Sequence, residues 1–246
     1  MTTISNHTIN AITLGLIKYG DSSLIASCYT LQYGLQSYML KGVLRKGKKK
    51  IPKSFFEPLT ILEIQASKNP ENRLGYIKEA KIGHPFLSIP HDLTKKSLVF
   101  FLSEIIYQIV REEKGSNQLL YDYIYKKLVW LDENSKVGLF HIKMMLDLTQ
   151  FIGFYPNISN LKAPYFDLEL GCMTFNKPKE NFIEDPIKTY WSKILGMEFD
   201  KILEIQITKN YKLALLNLVI RYFELHLQQF KPPKSKKVLN EIFKTF

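Results

Sequence analysis

The hydrophobic period changes once along this chain, near residue 85, and that single change constrains the fold more than any other feature. From Ile9 to about Ile82 the pattern is that of strands. "NAITLGLIKYG" alternates Ile12, Leu14 and Leu16 on one face, and "SLIASCYTLQYG" is β-branched and aromatic enough to follow as a second strand. The link Tyr19-Gly20-Asp21-Ser22 has the chemistry of a tight turn. Gly34 opens a third run, "LQSYMLKGV"; "LTILEIQ" makes a fourth, and "LGYIKEAKI" a fifth after the turn-rich "ASKNPENR". Five short strands at this spacing, with no helical periodicity among them, predict a small closed or nearly closed barrel.

Beyond "HPFLSIPHD" the period becomes helical. Leu98, Leu102, Ile105, Ile106, Ile109 and Val110 share one face, with Asp92 as the expected cap and Gly115 near the end. Further helices are expected over 118–132, 137–152, 187–195, 198–206, 209–230 and 236–245. The stretch at about 155–186, rich in Pro and Asn, reads as an irregular excursion with a short hairpin. The fold class is α+β: a β-barrel domain over 1–84, then a helical domain over 85–246.

Charge is distributed unevenly over these two parts. The formal net charge is +11, which favours polyanionic partners. The first 80 residues hold 11 basic and 5 acidic side chains, and the remaining 166 hold 23 and 18, so the barrel is the more positive part per residue. Its charge is concentrated between the third and fourth strands, at Lys41, Arg45, Lys46, Lys48, Lys49, Lys50 and Lys53. A solvated rim loop would explain a bare run of this kind. Three features favour nucleic acid instead. No acid interrupts the run, Gly42 and Gly47 allow the backbone close to a phosphate chain, and Tyr38, Tyr19 and Tyr29 offer rings on which bases could stack.

Other chemistries find little support. "MTTISNHTIN" lacks the apolar core of a signal peptide, and no apolar run approaches the ~18–20 residues of a membrane span. Cys28 and Cys172 form no disulfide framework, so a reduced cytoplasmic setting is expected. The carboxylate pairs Asp167/Glu169 and Glu184/Asp185 lie in the polar excursion, where solvated acids are usual, and the five histidines have no metal or general-base spacing. No Walker-type loop is present, and a non-catalytic protein is expected. A barrel protein that binds structured or ribosomal RNA is the main alternative, because backbone electrostatics serve either polymer. A membrane-surface role would call for an apolar helical face beside the lysines, which is missing.

The order of short motifs is similar to that of the RecO family of DNA repair proteins. Members open with a strand of the type "AIVL", a "YGE" turn, "HG" before the third strand, "KGVRR", and "PF" before "LLEL". This chain reads "AITL" at 11–14, "KYGD" at 18–21, "QYG" at 32–34, "KGVLRKGKKK" at 41–50 and "EPLTILEI" at 57–64. "IGFYP" at 152–156, "RYFELHL" at 221–227 and "PPKSKKVL" at 232–239 extend the resemblance to the far end. The resemblance implies a cytoplasmic, nucleoid-associated recombination mediator with an OB-type barrel. It would bind single- and double-stranded DNA, anneal strands coated by single-strand-binding protein and, with RecR, help load RecA, using no cofactor. Lys41 and Arg45 match the family's DNA-binding surface most directly. The helical domain would hold the acidic tail of single-strand-binding protein, with Arg221 flanking the groove. Many relatives carry four cysteines after the "GF.P" segment as a zinc module; here Cys172 stands alone and no Cys-x-x-Cys occurs, so no metal is expected.

Overall fold

In the computed structural model, which describes residues 8–45, 51–67, 74–113 and 115–245, the chain divides into two compact units at Glu133/Asn134. The first unit contains the expected barrel. Strands β1 (Thr8–Tyr19), β2 (Ser23–Thr30), β3 (Gly34–Leu40), β4 (Ile61–Ala66) and β5 (Gly75–His84) close in the order β1-β2-β3-β5-β4. All neighbours are antiparallel except β3 and β5, which run parallel with Tyr38 opposite Gly75 and Met39 opposite Tyr76. This is the OB-type topology.

Packing inside the barrel explains the residue choice. Tyr38, Leu40, Leu62, Ile64 and Phe56 fill the interior, and Ala11, Ala26 and Cys28 supply the room that the two rings need. Gly75 contributes in the same way, since a Cβ there would lie 2.9 Å from the Tyr38 ring. Burial pushes the Cys28 thiol up to about 12, which makes it a small apolar filler rather than a nucleophile. A bulge in β1 between Thr13 and Gly15 re-aims the strand. The buried Thr13 hydroxyl donates to the Glu57 carbonyl there and accepts from Thr60 N–H at 3.0 Å, which ties the entry of β4 to β1.

Two helices complete this unit, α1 (Leu93–Glu112) and α2 (Gln118–Glu133). Asp92 caps α1 as expected, its carboxylate accepting from Lys95 N–H at 3.0 Å. A buried clamp, which no local pattern announces, joins the far end of α2 to the segment entering α1. The Asp132 carboxylate accepts from the backbone N–H groups of Leu87, Ser88 and Ile89, each at 2.8 Å, and from the Ser88 hydroxyl. The buried Lys95 ammonium donates to Ser88 Oγ at 2.6 Å and to the Asp132 carbonyl at 3.1 Å.

The second unit holds α3 (Phe140–Leu148), strands β6 (Tyr165–Asp167), β7 (Cys172–Thr174) and β8 (Phe182–Ile183), and helices α4 (Ile187–Gly196), α5 (Lys209–His226) and α6 (Lys236–Thr245). Residues 198–206 were expected to be helical; 3₁₀ structure forms over Phe199–Glu204. The expected helix over 209–230 stops at His226, because Leu227 turns to extended backbone and Gln229 takes a positive φ of 58°. Leu227 and Phe230 are still buried, so the apolar pattern continues through a turn that is not helical. The excursion is more regular than its sequence suggests: β6 pairs with β7 as a hairpin and with β8 on its other edge.

Burial opposes the charge on Asp132, and its three backbone donors with the Ser88 hydroxyl outweigh that cost, so the carboxyl sits below its ordinary value. A depressed folded-state value means the stabilisation is complete above the unfolded pKa of ~3.9 and is lost as pH falls through the folded one. Asp132→Asn is expected to lower unfolding stability by about 2–4 kcal/mol at neutral pH. The gap between the two proteins should narrow on acidification below the carboxylate range, as read by urea titrations at several pH values.

Candidate nucleic-acid interface

Barrel closure decides which residues can meet a ligand. Residues 24, 26 and 28 of β2 and residues 38 and 40 of β3 point inward, so their odd-numbered neighbours point outward. Ile17 pairs with Ile25, Ile25 with Met39, and Met39 with Tyr76. Paired residues share a face, which makes Ile17, Ile25, Met39 and Tyr76 one row across the outside of four strands. Ile17 is 63% exposed and Tyr76 41%, while Ile25 and Met39 are set deeper between them. Tyr19, 53% exposed, stands two residues beyond Ile17.

The basic loop leaves the barrel at one edge of this row. Lys41 follows β3 directly, and its Nζ lies 4.3 Å from the centroid of the Tyr76 ring. Gly42 takes a φ of +66°, and Arg45 N–H donates to its carbonyl at 3.1 Å, so a tight turn follows Lys41. Here the glycine is required by backbone conformation rather than by lack of space, since a Cβ would meet only the Arg45 side chain at 3.6 Å. Leu44 N–H donates to Ser22 O at 3.0 Å, which fastens the loop to the β1–β2 turn. Val43 and Leu44 pack on the barrel core at one end of the loop; Ile51, Phe55 and Phe56 do so at the other. Arg45 and Lys53 are exposed.

Of the residues proposed from sequence, Lys41 therefore lies at the rim of the outer row, Arg45 follows in the turn after it, and Lys53 is exposed in the 3₁₀ turn Lys53–Phe56. Lys46, Lys48, Lys49 and Lys50, with Gly47, fall outside the described residues. Tyr38 does not offer a stacking surface: it is 1% exposed, and burial raises its phenol well above the ordinary value. Tyr29 is fully buried, its hydroxyl donating to Asn117 O at 3.1 Å, and of the three proposed rings only Tyr19 is open. Tyr76 and the apolar members of the row went unnoticed because strand alternation gives two faces without saying which is inside. Closure of the barrel supplies that choice.

Arg221 lies in the second unit, on α5. Its Nε donates to Asn181 Oδ1 at 3.0 Å and its Nη1 to Glu224 Oε2 at 3.2 Å, so it fastens the excursion to the helix. Two neighbours on α5 act alike: Tyr222 donates to Phe154 O at 2.7 Å, and a ring nitrogen of His226 bonds Leu168 O at 2.7 Å. The paired carboxylates also serve local structure. Asp167 accepts from Glu169 and Leu170 N–H, Glu169 from Asn181, Glu184 pairs with Lys177, and Asp185 accepts from Thr189 N–H in the first turn of α4. Among the described residues no three His, Cys, Asp or Glu side chains gather as a metal-binding group, and no helix is long and apolar enough to cross a membrane.

Comparison with known proteins agrees with this architecture over nearly the whole chain. A family model described as recombination protein O, N terminal, matches residues 1–86, and one described as recombination protein O, C terminal, matches residues 90–237. The chain is 35% identical to DNA repair protein RecO of Flavobacterium psychrophilum and 36% identical to that of Christiangramia forsetii. Each alignment covers 95% of this chain and 97% of the relative. The protein of the same name from Bacteroides fragilis is 32% identical, over 94% of this chain and 97% of its own.

Ring and cation at this rim should separate in a binding assay. Tyr76→Ala is expected to lower single-strand affinity about 5- to 50-fold at an unchanged salt slope, as loss of a stacking ring does. Lys41→Ala should instead flatten the log–log slope by about 0.7. Anisotropy titrations at four salt concentrations read both effects.

Proposed function

The chain belongs to the recombination protein O family, which acts in DNA repair and recombination, and from that premise we propose that it is a recombination mediator. It binds single- and double-stranded DNA, anneals complementary strands and, with RecR, helps load RecA onto strands coated by single-strand-binding protein. The observation that carries the DNA-binding part is the rim of the outer row, where Lys41 stands over the exposed Tyr76 ring and Arg45 is exposed in the turn that follows. Cations there can neutralise phosphates while the ring and the apolar row meet unstacked bases. Such contacts carry no base code, as suits a protein that must act on any sequence.

Lys46, Lys48, Lys49 and Lys50 follow Arg45 in the sequence and add to the charge available to phosphates. With four to six phosphate contacts, the salt slope on single strands is expected to be about −3 to −4. Replacing Arg45, Lys46, Lys48, Lys49 and Lys50 together by Ala should flatten the slope and weaken binding to all sequences alike. An unchanged slope in a folded variant would move the phosphate site elsewhere. Tighter binding to structured RNA than to DNA at equal salt would favour the RNA reading.

DNA contact alone does not remodel a strand already covered by another protein. The partner proposed for the helical part is the acidic, apolar C-terminal tail of single-strand-binding protein, with Arg221, whose side chain is 46% exposed, at the rim of its groove. The full chain is expected to bind a peptide copying that tail, with affinity falling as salt rises. It should anneal tail-bearing complexes faster than tail-less ones; equal rates with no peptide binding would leave a DNA-binding protein without mediator activity.

A further inference from the structure

A cavity of about 340 Å³ opens where β1 begins, β2 turns into β3 and β4 ends. Its size is at the small end of ligand pockets. Ile9 and the Tyr38 ring form its apolar floor, and the Tyr33 ring, 38% exposed, stands at its side. The polar lining consists of Gln32, Gln36 and serine hydroxyls, with no charged side chain among the described lining residues.

The amides are oriented. Gln32 Oε1 accepts from Asn10 N–H at 3.1 Å, which turns its NH₂ group the other way as a donor. Gln36 Nε2 donates to the Tyr33 carbonyl at 2.9 Å, which holds that amide beside the Tyr33 residue. Ser67 Oγ accepts from Tyr76 N–H at 2.8 Å, which leaves its hydroxyl proton to donate. A lining without cations discriminates against phosphate and carboxylate. Oriented amide and hydroxyl groups beside an aromatic face suit a neutral, planar heteroaromatic ring with donors and acceptors on its edge.

Resting on the reading of the barrel as a nucleic-acid binder, we propose that this cavity receives one unstacked nucleobase of a single strand, stacked on Tyr33 and met at its edge by Gln32. The described pocket lining carries no cation, so the pocket itself adds no phosphate contact. A duplex keeps its bases paired and cannot fill it, so the pocket biases the protein toward single strands.

The test uses the full chain and three probes: a single strand, the same strand with abasic sites throughout, and the duplex. Gln32→Ala with Tyr33→Ala is expected to weaken binding to the base-bearing strand about tenfold, with the salt slope, abasic-strand affinity and duplex affinity unchanged. Tyr33→Phe, which keeps the ring face, should retain most of the affinity. Irradiation of a strand carrying 5-iododeoxyuridine, followed by peptide mass spectrometry, should place a crosslink on Tyr33. Equal losses on all three probes, or crosslinks confined to Tyr19 and Tyr76, would overturn the pocket while leaving the DNA-binding reading intact. If the wild-type protein bound none of the probes, both readings would fall together.

Discussion

Two large rings, Tyr38 and Phe56, have to fit inside a barrel of only five strands. Small walls make that possible: Ala11, Ala26 and Cys28 recede from the interior, and Gly75 leaves the space the Tyr38 ring occupies. Interiors pack at crystal-like density, so a larger residue at any of these positions would force the barrel open or displace a ring. Everything outside follows from this packing. Once Tyr38 is inside, Met39 is outside, and Met39 aligns with Ile25 and Tyr76 through the register of the sheet.

The basic loop shows how a chain can carry concentrated charge without loosening the fold beneath it. Like charges in sequence repel one another, and a free loop would relieve that repulsion by extending. Here apolar anchors hold both ends, with Val43 and Leu44 before the lysines and Ile51, Phe55 and Phe56 after them. Phe56 belongs to the same interior as Tyr38, so the packing that sets the outer row also fixes where the loop returns. The Lys41 ammonium over Tyr76 then places a cation and a ring within one contact distance.

In the second unit, side chains of α5 do the work of holding the excursion. Tyr222 bonds Phe154, His226 bonds Leu168 and Arg221 bonds Asn181, three hydrogen bonds from two adjacent turns of one helix. Trp191 packs against Phe166 and Tyr222 beneath the small sheet and gives it an apolar floor. A sheet of two- and three-residue strands cannot stand by its own backbone bonds, and these contacts account for its regularity.

The number of barrel strands, the switch to helices, the Asp92 cap and the concentration of charge before β4 were all legible in sequence, because each depends on residues within a few positions of one another. The 3.6- and 2-residue periods are local properties of the backbone. Other features required the closed structure. Tyr38 and Tyr76 are both aromatic residues in strands, and only barrel closure sends one inward and the other out. Asp132 reads as one more acid near the end of a helix until the fold brings it to three backbone donors some 43 to 45 residues away. The apolar pattern through Phe230 resembles more of α5 until Leu227 leaves the helix. A local pattern determines which residues are able to be buried or bonded; the partner that buries or bonds them lies far along the chain, and only tertiary packing selects it.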